Sequence, residues 1–325
     1  MPSVSDWKVP LSVQPRPEDY SYDLEVALAA VVGLHATIPS DAFTAETLGT
    51  ERAGHGVLIR GNGLILTIGY LITEAETIWL SLSDGRSVPG HVLGYDQETG
   101  FGLVQALAKL DMSGLEIGQS ADAPIGERVV VGGAGGRHHS VAARVVAKQE
   151  FAGYWEYVLD EAIFTAPAHP NWGGTALIGP AGDLLGIGSL QLQHAVEKGQ
   201  AQNINMIVPI DPLKPILDDL MKFGRRNMPP RPWLGLYATE VEQRLVIVGL
   251  ADRGPAKKAD LRTGDIVLSV AGEDVRDLAG FFRCIWAQGN AGVEVPMTIY
   301  RDGQTIDLRI KSSERNRFLK GPSLH

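Results

Sequence analysis

The chain has 325 residues, 44% of them hydrophobic and 21% charged, with 38 glycines and 19 prolines spread along its whole length. That composition excludes large-scale disorder and a helical bundle, and it suits one large or two medium globular domains of many short strands joined by tight turns. Before Gly224 there are 13 basic and 26 acidic residues and from it onward 16 and 12, a net of −13 against +4. The first part is therefore a poor match for nucleic acid, while the second is compatible with an anionic ligand.

The first 25 residues carry Asp6, Glu18, Asp19, Asp23 and Glu25 against Lys8 and Arg16, the opposite of a basic secretory leader. The longest uncharged stretch, Val26 to Ser40, is too short to span a bilayer. The expectation is a cytoplasmic protein with no membrane span. VLIRGNGLILTI, Val57 to Ile68, reads as a hairpin about Gly61, Asn62 and Gly63, and TIWLSLSDGRSVPGHVLGYD repeats the device with a turn over 83–86. Further strands are predicted at Phe101 to Leu107, Arg128 to Gly132, Val141 to Phe151, Tyr154 to Leu159, Thr175 to Ile178, Asp183 to Gln193 and Asn205 to Ile210. With no helical period between them, they indicate antiparallel sheets closed into barrels or a sandwich. One helix follows, capped by Asp211, with Leu213, Ile216, Leu217 and Leu220 on one face sealing a barrel end.

FGRRNMPPRPW, Phe223 to Trp233, breaks all periodicity and marks a linker. The expected division is a first domain over 1–223, a linker over 224–232, a second domain over 233–313 and a tail over 314–325. In the second domain, WLGL and RLVIVGL are strands, GPAKKADLRTGDIVLSV gives a short helix, a turn and a strand, and DLAGFFRCIWAQG is an amphipathic helix with Leu278, Phe282, Ile285 and Trp286 on one side. VEVPMTIYRDG and QTIDLRI close it. The size suffices for an independent small domain.

Three segments, GLILTIGYLI, GYDQETGFGLVQ and NWGGTALIGPAGDLLGIGSL, together resemble the trypsin-like HtrA (Deg) protease family, and the region from RPWLGL onward resembles the PDZ domain that follows in that family. The resemblance implies a mainly β fold: a trypsin-like double antiparallel β-barrel followed by a small α+β PDZ-like domain. The family carries a histidine, an aspartate and a serine because a serine hydroxyl is a poor nucleophile until an oriented imidazole takes its proton. At the matching positions this sequence has Tyr70, Gly100 and Trp172. Asn171, Gly173 and Gly174 then resemble what remains of an oxyanion loop. A phenol with an ordinary pKa near ~10 is no ready base at neutral pH, and an indole offers no nucleophile.

The resulting expectation is a non-catalytic HtrA-type homologue that binds peptides or proteins through its PDZ-like domain or serves as a regulatory subunit. The competing reading is an active serine endopeptidase with a non-standard arrangement, with Thr175 and Ser189 as candidate hydroxyls. The resemblance implies that the turn before Leu234, Gly235 and Leu236, with Trp233, presents backbone amides to a peptide's terminal carboxylate while the following strand edge pairs with the peptide, and that Phe282 and Ile285 form the apolar wall. It also implies trimers built through an N-terminal segment, for which DYSYDLEV supplies aromatic anchors, so a homo-trimer or a hetero-oligomer with an active homologue is expected.

No cofactor is expected. The lone cysteine, Cys284, precludes an internal disulfide and a cysteine-based zinc site, and His138, His139 and His169 lack a carboxylate partner at telling spacing, so no metal site is expected either. The glycines from Gly132 to Gly136 do not fit a phosphate loop. Asp260 stands where the PDZ pattern has glycine, and aspartate tolerates a left-handed backbone better than most residues.

Overall fold

The structure is a computed structural model describing residues 8–196 and 200–321. Asp6 of the leader argument and the last four residues of the expected tail lie outside the described residues. The chain divides into two compact units, one built from residues up to Gln149 with Glu161–Arg226, the other from Glu150–Asp160 with Asn227–Lys320.

The first unit opens on helix α1 (Leu24–Ala29), whose N-terminus is capped by the Asp23 carboxylate accepting from the Val26 amide at 3.0 Å. Strands β1 (Val31–Thr37), β2 (Glu51–Arg60), β3 (Leu64–Ile68), β4 (Thr77–Ser81), β5 (Ser87–Tyr95) and β6 (Phe101–Ala106) close into an antiparallel barrel in the order β1-β2-β3-β6-β5-β4, and a short helix α2 (Ala45–Leu48) sits between β1 and β2. The turn chemistry acts as the sequence suggests. Gly63 takes φ +87° between β2 and β3, and the Asp84 carboxylate accepts from the Arg86 amide at 2.9 Å to tighten the turn between β4 and β5. β7 (Arg128–Gly132), β8 (Ser140–Gly153), β9 (Tyr157–Ala166), β10 (Ala176–Ile178), β11 (Leu184–Val196) and β12 (Gln200–Pro209) form a second closed barrel, around Val129, Val131, Val141, Ile163, Leu177 and Ile207.

The expected single helix after Asp211 is instead a 3-10 turn (Asp211–Leu213) followed by α3 (Leu217–Phe223). Pro215 has no amide hydrogen and its ring clashes with the preceding turn, so one continuous helix cannot form. Asp211 does not cap it either. Its carboxylate accepts from the Ala121 amide at 2.8 Å and the Lys214 ammonium at 2.6 Å.

The second unit contains the antiparallel sheet β13-β14-β15-β17-β18, from β13 (Leu236–Val241), β14 (Arg244–Leu250), β15 (Ile266–Val270), β17 (Glu294–Arg301) and β18 (Gln304–Lys311), with the short β16 (Glu273–Asp274) on β15. Two helices accompany it: α4 (Pro255–Lys258), and α5 (Leu278–Trp286), which Asp277 caps by accepting from the Gly280 amide at 2.7 Å. Leu278, Ala279, Phe281, Phe282 and Ile285 of α5 are buried with Leu236, Ile247, Val267 and Ile299 of the sheet. Phe281 joins the face read from the sequence, while Trp286 is half-buried beneath the Arg231 guanidinium. Asp260 takes φ +61°, the left-handed conformation that the sequence allows it, and Arg262 and Arg301 hold its carboxylate.

Candidate functional site

The three positions matched to a catalytic triad come from separate elements of the first unit. Tyr70 lies in a 3-10 turn (Gly69–Leu71) directly after β3, Gly100 just before β6, and Trp172 in the loop ahead of β10. The Tyr70 hydroxyl donates to the Ser189 carbonyl at 2.9 Å. Burial pushes the phenol well above its ordinary value, and a hydrogen bond with the Trp172 side chain opposes this. The phenol therefore keeps its proton through the whole neutral range. Gly100 takes φ +84°, a backbone that disfavours most side chains, and its carbonyl accepts from the Gly69 amide at 2.6 Å.

Asn171, Gly173 and Gly174 lie in a tight turn against β2. Their main-chain groups are used internally: the Asn171 amide donates to His169 Nδ1 at 3.1 Å, the Gly173 carbonyl accepts from the His55 amide at 2.8 Å, and the Gly174 amide donates to the Gly188 carbonyl at 2.8 Å. A Cβ on Gly174 would collide with the His55 carbonyl, and φ is +79° there, so the glycine is demanded by close packing.

The two buried imidazoles beside this turn were not singled out together in the sequence. His55 accepts from the Ala134 amide through Nδ1 at 3.1 Å and faces the Asn171 carbonyl through Nε2 at 3.0 Å. His169 accepts from Asn171 through Nδ1 and faces the His139 carbonyl through Nε2 at 2.7 Å. Each ring is thus neutral, with Nδ1 as acceptor and Nε2–H as donor. Burial pushes His55 down to about 3 and also lowers His169. The rings meet edge to face at 5.7 Å. Neither has a lone pair free for a substrate proton. Thr175 donates its hydroxyl to the Trp172 carbonyl at 2.8 Å, and the Ser189 side chain is buried. His138 and His139 turn to Gln14 and to the Gly135 carbonyl, and no group of three or more His, Cys, Asp or Glu side chains able to hold a metal occurs among the described residues.

The second unit has a different kind of site. Trp233 and Leu234 precede β13, and Gly235, at φ +74°, turns the chain so that successive amides point the same way. The Leu234, Gly235 and Leu236 amides donate to the Glu156 carboxyl at 3.1, 2.7 and 3.1 Å. Burial pushes this carboxyl up to about 7, against the three amides and the Arg315 charge, which pull it down. Two residues before it, the Tyr154 carbonyl accepts from the Ala238 amide of β13 at 3.1 Å. Phe282 and Ile285 of α5 are fully buried in the same core, and Trp233 packs on Phe318 with ring centres 4.9 Å apart.

Glu156 went unread in the sequence. A signal was present: the turn between β8 and β9 is Tyr154-Trp155-Glu156, with none of the small residues that turns favour, and Glu156 takes φ +60°.

Two closed antiparallel barrels followed by a small sheet-and-helix unit define a trypsin-like peptidase domain with a PDZ domain. Family profiles agree, a trypsin-like peptidase domain matching residues 54–187 and a PDZ domain residues 232–312. The chain is a homologue of HtrA-type serine proteases. It is 27% identical over 80% of its length to a probable periplasmic serine endoprotease DegP-like of Pseudomonas fluorescens, and 23% identical over 91% to a serine protease Do-like HtrA of Bacillus subtilis. It spans 56% of the first relative and 72% of the second. Among solved structures, the HtrA-type protease AlgW with decapeptide superposes with a TM-score of 0.54 at 20% identity, covering 92% of this chain and 98% of that one, which supports the fold.

These relatives correct two expectations. One is named a serine endoprotease and the other a serine protease, which points to an enzyme class where the sequence suggested none. Several are named periplasmic, which points to export and overturns the cytoplasmic expectation. Among the described residues no helix is long and apolar enough to cross a membrane.

Proposed function

We propose that this HtrA-type homologue recognises the free C-termini of peptides or unfolded proteins at its PDZ groove. The observation that carries the reading is the trio of parallel amides at Leu234, Gly235 and Leu236 closing on one carboxyl group, beside a strand whose Ala238 amide bonds the Tyr154 carbonyl of the same turn. An extended chain ending in a carboxylate meets the same donors, the amides binding its end and β13 pairing with its backbone. The wall from Phe282 and Ile285 favours an apolar last side chain. Screening the full chain against immobilised peptides with free and with amidated C-termini tests this. Binding to the free forms is expected to exceed binding to the amides by about tenfold or more, the worth of charge-assisted hydrogen bonds. Equal binding to both would refute it.

The relatives' names favour a second activity, endopeptidase chemistry in the first unit. Since Tyr70 holds its proton and both buried imidazoles are saturated, hydrolysis here would have to draw on a rearranged hydroxyl, with Thr175 and Ser189 nearest at hand. Casein turnover and fluorophosphonate labelling, repeated in Thr175→Ala and Ser189→Ala, decide it: signal lost in one variant assigns the nucleophile, and no signal in the parent chain removes the reading. Assembly with itself or with an active relative belongs to the same proposal, through the N-terminal segment where the Tyr20 and Tyr22 rings meet at 5.4 Å. The mass of the isolated and co-purified protein checks it.

A further inference from the structure

We infer that the hairpin tip from Tyr154 to Glu156 is an internal ligand of the PDZ groove, so that an incoming C-terminus has to displace it. The inference rests on the peptide-binding reading and adds how that site is regulated.

Four observations support it, all within the second unit. The Glu156 side chain supplies the carboxyl group that the amide trio receives. The carbonyl two residues earlier bonds Ala238 of β13, so the tip offers the groove both an acidic end and a backbone acceptor for the strand beside it. The flanks are fastened as well: Arg283 of α5 pairs with Glu150 on one side of the hairpin at 2.6 Å and with Asp160 on the other at 2.6 Å, and Val158 is buried in the core with Leu236, Phe282 and Ile285. Finally, Glu156 sits at φ +60°, where glycine would be relaxed and a long side chain is disfavoured.

Tethering makes such a ligand effective. A segment carried on the same chain meets its groove intramolecularly, at an effective concentration that a free peptide has to exceed. The apparent affinity for an external peptide is then reduced by the fraction of grooves that are open.

The test uses the full chain and a fluorescein-labelled peptide with the hairpin's own sequence 151–155 followed by a C-terminal valine bearing a free carboxylate. Glu156→Gly removes the side chain and suits the backbone, and Glu156→Ala serves as a second variant. Both are expected to bind the peptide on the order of tenfold more tightly than the parent. Hydrogen exchange supplies an independent readout: without peptide, the amides of residues 234–236 are expected to exchange faster in the variants than in the parent, and to regain protection when peptide is added. Parent and variants binding with equal affinity overturns the inference and leaves the peptide-binding reading standing. If none of them binds but the amides exchange faster in the variants, docking of the hairpin stands and the peptide-binding reading falls. No binding together with unchanged exchange overturns both.

Discussion

The turn beside Trp172 in the first unit and the groove beside Gly235 in the second are each filled by the chain's own groups, but in different ways. In the first, the phenol of Tyr70, the imidazoles of His55 and His169 and the amides of Asn171 and Gly174 have partners inside a packed body, and the shifted groups are held neutral. In the second, the amides are held by one ionisable group at the tip of a hairpin. The first arrangement can be opened only by disturbing the core. The second can be opened by moving a loop or by changing its charge. Of two regions built from glycines and backbone amides, the one whose amides face a removable side chain is the better candidate for reversible binding.

The largest effects come from breaking each region outright. Phe281→Ala empties a fully buried position in the second unit and is expected to remove about 3–5 kcal/mol, read as a fall in its thermal unfolding midpoint and a loss of peptide binding. Gly174→Ala drives a methyl group into the His55 carbonyl at a positive φ and is expected to remove about 3 kcal/mol from the first unit. A neutral result there would mean that the glycines are not required by packing.

A smaller effect sharpens the contrast through pH. Burial lifts the Glu156 carboxyl from 4.5 to about 7 in the docked hairpin, so the docked state binds its proton more tightly than the free one. Docking is therefore at full strength below the free value and weakens as pH rises through about 7. Arg315 acts on this carboxyl from the C-terminal turn, and Arg283 of α5 holds two other acids of the hairpin. Affinity for external peptide is expected to rise between pH 6 and pH 8 in the parent and to stay flat in Glu156→Gln. Tyr70→Phe should remove about 1–2 kcal/mol by leaving the Ser189 carbonyl without its donor, measured by denaturant unfolding. Asp277→Ala, which uncaps α5, should remove about 1 kcal/mol.

Much of this was legible in the residues. Turn glycines and alternating apolar runs located most strands, and RPWLGL marked the chain leading into β13. The β1 strand escaped because VVGLHAT, inside a long uncharged run, has no alternation to separate it from a buried helix. Pro215 was present in the sequence, but the shared face of Leu213 through Leu220 masked its effect on the helix. Glu156 was invisible for another reason: its role depends on a partner about eighty positions away, and no local pattern reports a contact at that separation. The same holds for His55 and His169, which are far apart in the chain and meet only when the barrels close.

The central claim, that the three amides of 234–236 form a carboxylate site, is tested most directly by following their resonances in the full chain, isotope-labelled, as peptide is added. The Leu234, Gly235 and Leu236 amide signals are expected to move with the free-carboxylate peptide and to stay in place with its amidated twin. Equal movement with both, or movement elsewhere in the chain while these three stay fixed, would contradict it.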